Sequence, residues 1–109
     1  MLSRVKHYHN KTFKDKKGNL KQGHEYFLIR NAYGWEELGI ILRWQDGRLQ
    51  DDGDLPAVEF QDAHFERFRN GLLHCDETDE EGNLKPAIVA SRTDQLEYYL
   101  NGKEVDKTA

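Results

Sequence analysis

A chain of 109 residues with 37% hydrophobic and 33% charged side chains has room for one modest core in one domain. Its single cysteine, Cys75, excludes an intrachain disulfide, a four-thiolate zinc site and Cys-x-x-Cys redox chemistry. The net charge of −4 conceals a split: residues 1–30 hold eight basic and two acidic side chains, net +6, while residues 31–109 are net −10, a division that orients a charged partner.

The N-terminal run "MLSRVKHYHNKTFK" has charges where a signal peptide needs an apolar stretch of about 7–15 residues. No segment approaches the ~18 apolar residues of a membrane span. A soluble, cytoplasmic chain without membrane contact is therefore expected. The first strand is expected over 4–9. After it, "KTFKDKKGNLK" sets Lys11, Lys14, Lys16, Lys17 and Lys21 near Tyr8 and Phe13, a combination suited to phosphate contact and base stacking.

Aromatic and β-branched runs predict further strands over 24–31, 39–45, 56–61, 65–69, 86–91 and 95–100. Apolar alternation supports them, as in Ile40, Leu42, Trp44 and in Leu96, Tyr98, Leu100. Pro56 and Pro86 open their runs, where a missing N–H does least harm to a ladder. "YGWEELGI" (33–40) is bracketed by Gly34 and Gly39 and reads as a loop. Residues 50–54 and 75–82 are acidic loops, and the tail from Gly102 is expected to fray.

Three segments align on an Asn/Asp-Gly step: "ILRWQDGRL" (41–49), "FERFRNGLL" (65–73) and "LEYYLNGKE" (96–104). That dipeptide supplies the two positive φ angles of a type I′ hairpin turn. "KHYHNKTF" (6–13) is a degraded copy with Lys11 at the Gly position. Between the turns, "DGDLPAVEF" (52–60) matches "GNLKPAIVA" (82–90), and "DKKGNLKQ" (15–22) matches "DEEGNLKP" (79–86). Repetition at this level predicts an all-β fold, a twisted antiparallel meander of about six to eight strands built from imperfect hairpins. The single domain spans 1–109: basic strands over 1–39, repeats over 40–104 and a frayed end over 105–109.

The segments "FRNGLLH" with its following acidic loop and "KPA", and "QDGRLQDDGDLPAVEF", resemble MORN-like repeats over roughly residues 40–104. Leu55 and Lys85 stand where that pattern favours Gly, and Gln50 replaces the His found at His74. The resemblance implies stacked hairpins that act as protein- or lipid-contacting scaffolds, with an antitoxin-like bacterial branch. It carries over no catalytic residue.

Among side chains suited to chemistry, His7-x-His9 shares one strand face at a chelating spacing, with His24, His64, His74 and Cys75 as further donors. Nothing in the pattern fixes a third ligand, so surface histidines are the expected reading and neither metal nor cofactor is expected. Neighbouring strand residues face opposite sides, so His74 is badly placed as a base for Cys75. Its repeat position marks it instead as a turn residue. The carboxylates Asp51, Asp52, Asp54 and Asp76, Glu77, Asp79, Glu80, Glu81 lack a Gly-rich phosphate loop or EF-hand spacing. They read as solvated loops that meet a basic protein.

A single-layer sheet leaves one face open. Among its aromatics, Trp35, Trp44, Phe68, Tyr98 and Tyr99 are expected to supply an apolar contact surface. The expected function is non-enzymatic protein binding, as in an antitoxin, immunity protein or phage-type inhibitor that covers a nucleic-acid-handling enzyme. The alternative is nucleic-acid binding through the Lys-rich hairpin. Edge strands leave room for a dimer.

Overall fold

A computed structural model describes residues 8–61, 63–90 and 95–108. Every named element in it is a strand: β1 (Gly23–Arg30), β2 (Glu36–Gln45), β3 (Arg48–Leu49), β4 (Val58–Phe60), β5 (Phe65–Glu66), β6 (Phe68–Arg69), β7 (Leu72–Leu73), β8 (Ile88–Ala90), β9 (Gln95–Leu100) and β10 (Lys103–Val105). The chain is all-β, as its turn chemistry predicts. One open antiparallel sheet runs β1-β2-β4-β5-β8-β9-β10, with β3 paired to β2, and β6–β7 form a separate hairpin. Each path neighbour pairs antiparallel. Hairpin-by-hairpin connection keeps most pairings local, which suits a sheet assembled from short strands.

The three Asn/Asp-Gly steps make the expected turns. Asp46-Gly47 has φ of 52 and 80°, Asn70-Gly71 50 and 82°, and Asn101-Gly102 48 and 83°. The strands close immediately around each pair, Gln45 against Arg48, Arg69 against Leu72 and Leu100 against Lys103. Of these glycines, Gly47 is also sterically required, since a Cβ there would lie 2.8 Å from the Phe13 carbonyl oxygen. Asn10 shares the positive φ at 55°, but Lys11 does not, so the degraded copy over 6–13 makes no such turn.

The other repeat matches are hydrogen-bond templates. Asp15 Oδ1 accepts from the N–H groups of Lys17 and Asn19 at 2.9 and 3.0 Å, and Asp79 Oδ1 accepts from Glu81 and Asn83 at the same two distances. Gly18 and Gly82 close these loops at φ of 84 and 83°. "NAYGW" (31–35) is a third copy: Asn31 Oδ1 accepts from Tyr33 and Trp35 at 2.9 and 3.1 Å, and Gly34 has φ 85°. An Asx side chain bonding its own backbone two and four residues on is a local reason for the loop.

Successive turns are tied by a repeated bond pair. The Gly47 N–H donates to Lys21 O, Gly71 to Leu49 O and Gly102 to Leu73 O, each at 2.8 Å. Beside them the Asp46 N–H donates to Gln22 Oε1, Asn70 to Gln50 Oε1 and Asn101 to His74 Nδ1, at 2.9, 2.7 and 2.8 Å. Gln50 and His74 are thus equivalent acceptors.

Three expectations are corrected. The stretch 33–40 is a loop only to Trp35; β2 begins at Glu36 and carries Gly39 as a bulge opposite Phe27 and Leu28. A Cβ on Gly39 would meet Ile29 Cγ2 at 2.5 Å, so glycine serves packing here rather than a loop. The tail does not fray from Gly102, because Lys103–Val105 pair with β9 and the Leu84 N–H donates to Lys107 O. The return arms β3, β7 and β10 follow the turns, where no strand was expected. The strand expected over 4–9 lies outside the described residues except for Tyr8 and His9, which are not in a strand.

The core gathers on one side of the sheet, around Leu42, Trp44, Leu49, Val58, Phe68, Leu73 and Ile88. Tyr8 and Phe13 pack on it, their rings 5.9 and 5.4 Å from Trp44. The indole N–H of Trp44 donates to Glu25 Oε1 at 2.7 Å, which also takes Lys21 Nζ at 2.8 Å, so a buried polar edge is satisfied.

Candidate protein-contact site

Register assigns the sheet's residues to two faces, because direct antiparallel partners share a side. One row reads Leu42, Val58, Glu66, Ile88, Glu97 across β2, β4, β5, β8 and β9. Its first four members are buried. The opposite row reads Tyr26, Ile41, Glu59, Phe65, Val89, Leu96 from β1 to β9. None of these six is buried, and Tyr26 and Leu96 are exposed. The second face is an open, mostly apolar band six strands wide.

Arginines frame the band. The Arg43 guanidinium reaches Pro56 O at 2.7 Å and pairs with the Glu59 carboxylate. Arg67 lies 5.4 Å from the Phe65 ring and pairs with Asp51 Oδ2 at 3.4 Å. The two positions are repeat equivalents: the Arg43 N–H donates to Ala57 O and the Arg67 N–H to Ala87 O, both at 2.7 Å. Ala57 and Ala87 are fully buried, which accounts for the small residue after each proline. At the end of β1 the loop 31–35 adds Tyr33 and Trp35, 87% and 73% exposed.

The expected aromatic surface is only partly this one. Trp35 is exposed and Tyr98, two residues from Leu96, is on the open side and half-buried. Trp44 and Phe68 are 5% and 1% exposed and belong to the core; they present no contact surface. Tyr99 packs against that core, and its hydroxyl donates to Glu97 Oε1 at 3.2 Å. Burial, then the Glu97 and Glu104 charges, push its ionisation up to about 12. Ile41, Val89 and Leu96 carry the band and are not among the contact residues expected from the sequence. In "IVA" and "IIL" both faces are apolar, so alternation does not separate them.

The acidic residues also divide. Asp51 is half-buried, with Oδ1 accepting from the N–H groups of Ala57 and Phe68 at 2.8 and 3.0 Å. Burial holds its carboxyl above the usual range, against the lowering pull of those N–H groups and Arg67. Its role is structural. Asp76 pairs with Arg69 at 2.6 Å, which holds its carboxyl below the usual range, and Glu77 lies 3.8 Å from Lys85. Asp79 closes its own loop. Asp52, Asp54, Glu80 and Glu81 are exposed and make no ion pair among the described residues.

Of the basic set, Lys11, Lys14, Lys16 and Lys17 are exposed around the bridge Lys14–Leu20. Lys21 is engaged by Glu25 and lies 5.0 Å over the Trp44 ring. His7 lies outside the described residues, and among those described no group of three or more His, Cys, Asp or Glu side chains converges. Burial raises the Cys75 thiol, and His74 spends Nδ1 on the Asn101 N–H. Its Nε2 therefore carries the proton, 3.5 Å from Asp76 Oδ2.

A cleft of about 330 Å³ opens beside β1, lined by Phe27, Ile29, Ile40, Val58 and Phe60 with buried Glu66 at its floor. His64 Nε2 is 3.1 Å from Glu66 Oε2, and burial pushes the imidazole's ionisation down despite the Glu97 charge. Burial thus favours the neutral ring in this contact. No described helix is long and apolar enough to cross a membrane. No family model, curated protein or solved structure matches the chain.

Proposed function

We propose that the chain is a non-enzymatic protein-binding module whose contact surface is the open band Tyr26–Ile41–Phe65–Val89–Leu96. The observation that carries this reading is the contrast between the two registered rows, one buried in four of its five members and one with none of its six members buried. A contiguous apolar band rimmed by paired charges has the anatomy of a protein interface, an apolar centre with a polar edge. Asp52, Asp54, Glu80 and Glu81 are exposed acidic side chains on the loops of the same domain, and they suit a basic partner surface. The net −10 of residues 31–109 strengthens their field. An inhibitor or antitoxin covering a nucleic-acid-handling enzyme is the finer form of this reading, and the MORN-like repeat resemblance agrees with a scaffold role.

The test is affinity capture from native lysate with three baits: the wild type, Phe65→Ser/Leu96→Ser, and Asp52→Lys/Asp54→Lys/Glu80→Lys/Glu81→Lys. A captured protein should be lost with the band variant and held less tightly, with a reversed salt response, by the acidic-loop variant. Capture unchanged by Phe65→Ser/Leu96→Ser sinks the proposal. The second reading, nucleic-acid binding, draws on the exposure of Lys11, Lys14, Lys16 and Lys17 while Asp15 spends Oδ1 on its own loop. A gel shift with random RNA and DNA at low salt decides it, and an unmoved band removes it.

A further inference from the structure

Sheet edges are open hydrogen-bonding templates, and folded chains guard them with charge, brevity or a covering segment. β10 is guarded: it is three residues long, exposes Lys103 and Glu104, and its continuation is tied back through Lys107. β1 is not. It is eight residues long, contains no Pro or Lys, and pairs on one side only among the described residues. Its centre is four consecutive apolar side chains, Tyr26, Phe27, Leu28 and Ile29, which are 57, 43, 60 and 40% exposed. The bulge that would disturb pairing sits on β2 at Gly39, leaving the outer edge of β1 regular.

We propose that β1 pairs edge to edge with β1 of a second copy of this chain, antiparallel, with Leu28 on the two-fold axis. Two such strands in one sheet are related by an axis normal to it, so each residue faces one of its own side and the axis passes through a residue position. Centred on Leu28, Phe27 opposes Ile29, an apolar pair made twice, and Tyr26 opposes Arg30, whose guanidinium is tied to Gly34 O at 2.7 Å and lies 3.6 Å from Glu36. Centred on Phe27, the same strand sets Glu25 against Ile29 and His24 against Arg30, which buries a carboxylate against apolar surface. Self-pairing is thus compatible with the chain's own residues, and of these two registers they favour the one centred on Leu28. The surface is a strand edge, so this inference stands independently of the open-band reading.

Four half-exposed apolar side chains offer roughly 350 Å² per copy, well under the ~800 Å² per partner of a stable interface. A reversible, concentration-dependent dimer follows rather than an obligate one. Sedimentation velocity of the wild type should show monomer at about 1 µM and mostly dimer at several hundred µM. Leu28→Lys sets two ammonium groups on the axis and should stay monomeric throughout, with an unchanged circular dichroism spectrum. Register is read separately by oxidation: Leu28→Cys faces its own symmetry mate about 5 Å away and should crosslink. Tyr26→Cys, about 13 Å from its mate, should not. A wild type monomeric at every concentration overturns the proposal and leaves the edge to a strand of another protein. A dimer that survives Leu28→Lys, or crosslinks through Tyr26→Cys instead, overturns it as well.

Discussion

At the scale of single residues, Asp51 shows why an acidic cluster cannot be treated as one surface. Its carboxylate accepts two backbone N–H groups, that of Ala57 in the β3–β4 connection and that of Phe68 at the start of β6. Asp52 and Asp54, one and three residues on, point to solvent. Deleting the acceptor in Asp51→Ala strands two N–H groups, so unfolding in urea should show a loss of about 3 kcal/mol, set against less than about 0.5 kcal/mol for Asp52→Ala. Asp51→Asn retains an oxygen acceptor and should recover most of that loss. The pH dependence has a definite sign. Because the folded carboxyl is raised above 3.8, the folded chain holds that proton more tightly than the unfolded one. The contribution of this group is greatest below pH 3.8 and falls as pH rises through the raised value. Asn cannot titrate, so Asp51→Asn should gain on the wild type between pH 3 and 6. A stability difference that is flat over that range would refute the account.

At the scale of elements, the unit of this fold is a turn plus the side-chain acceptor that receives the next turn. Gln22, Gln50 and His74 hold that position, and their chemical difference hides a shared task. His74→Gln should therefore cost less than about 1 kcal/mol, since the amide oxygen replaces Nδ1 as two other copies already do. His74→Leu leaves the Asn101 N–H without its acceptor and should cost about 1–3 kcal/mol in the same urea titration. Equal losses for the two variants would show that His74 acts through bulk alone. The dipeptide turns were legible in the sequence because Asn/Asp-Gly dictates φ locally. The loop over 31–35 is as local, yet the repeat alignment leaves it out because Asn31 stands where the other two copies have Asp. Gly39 was read as a turn glycine because nothing adjacent in sequence discloses Ile29 lying over it.

At the scale of the molecule, the two faces depend on which strands meet, and that is fixed by contacts far apart in sequence. Fold class and most strand positions follow from local chemistry. The open band does not, because Tyr26 and Leu96 are joined only through four intervening strands. Phe65 and Phe68 make the point most sharply. They are three residues apart in one run and look interchangeable there, yet the chain passes from the main sheet to the β6–β7 hairpin at Arg67. Phe65 stays on the open side while Phe68 is 1% exposed in the core. Phe68→Ser removes a buried ring and places a hydroxyl in its cavity, which should cost about 3–5 kcal/mol and leave little folded chain at 37 °C. Phe65→Ser gives up a half-covered ring under Arg67 and should cost about 1 kcal/mol. Thermal unfolding separates the two. Binding of a hydrophobic dye by the folded Phe65→Ser variant should fall relative to the wild type, because the band has lost its central ring. A Phe65→Ser variant as unstable as Phe68→Ser would mean that the second face is packed, and the open-band reading would fall with it.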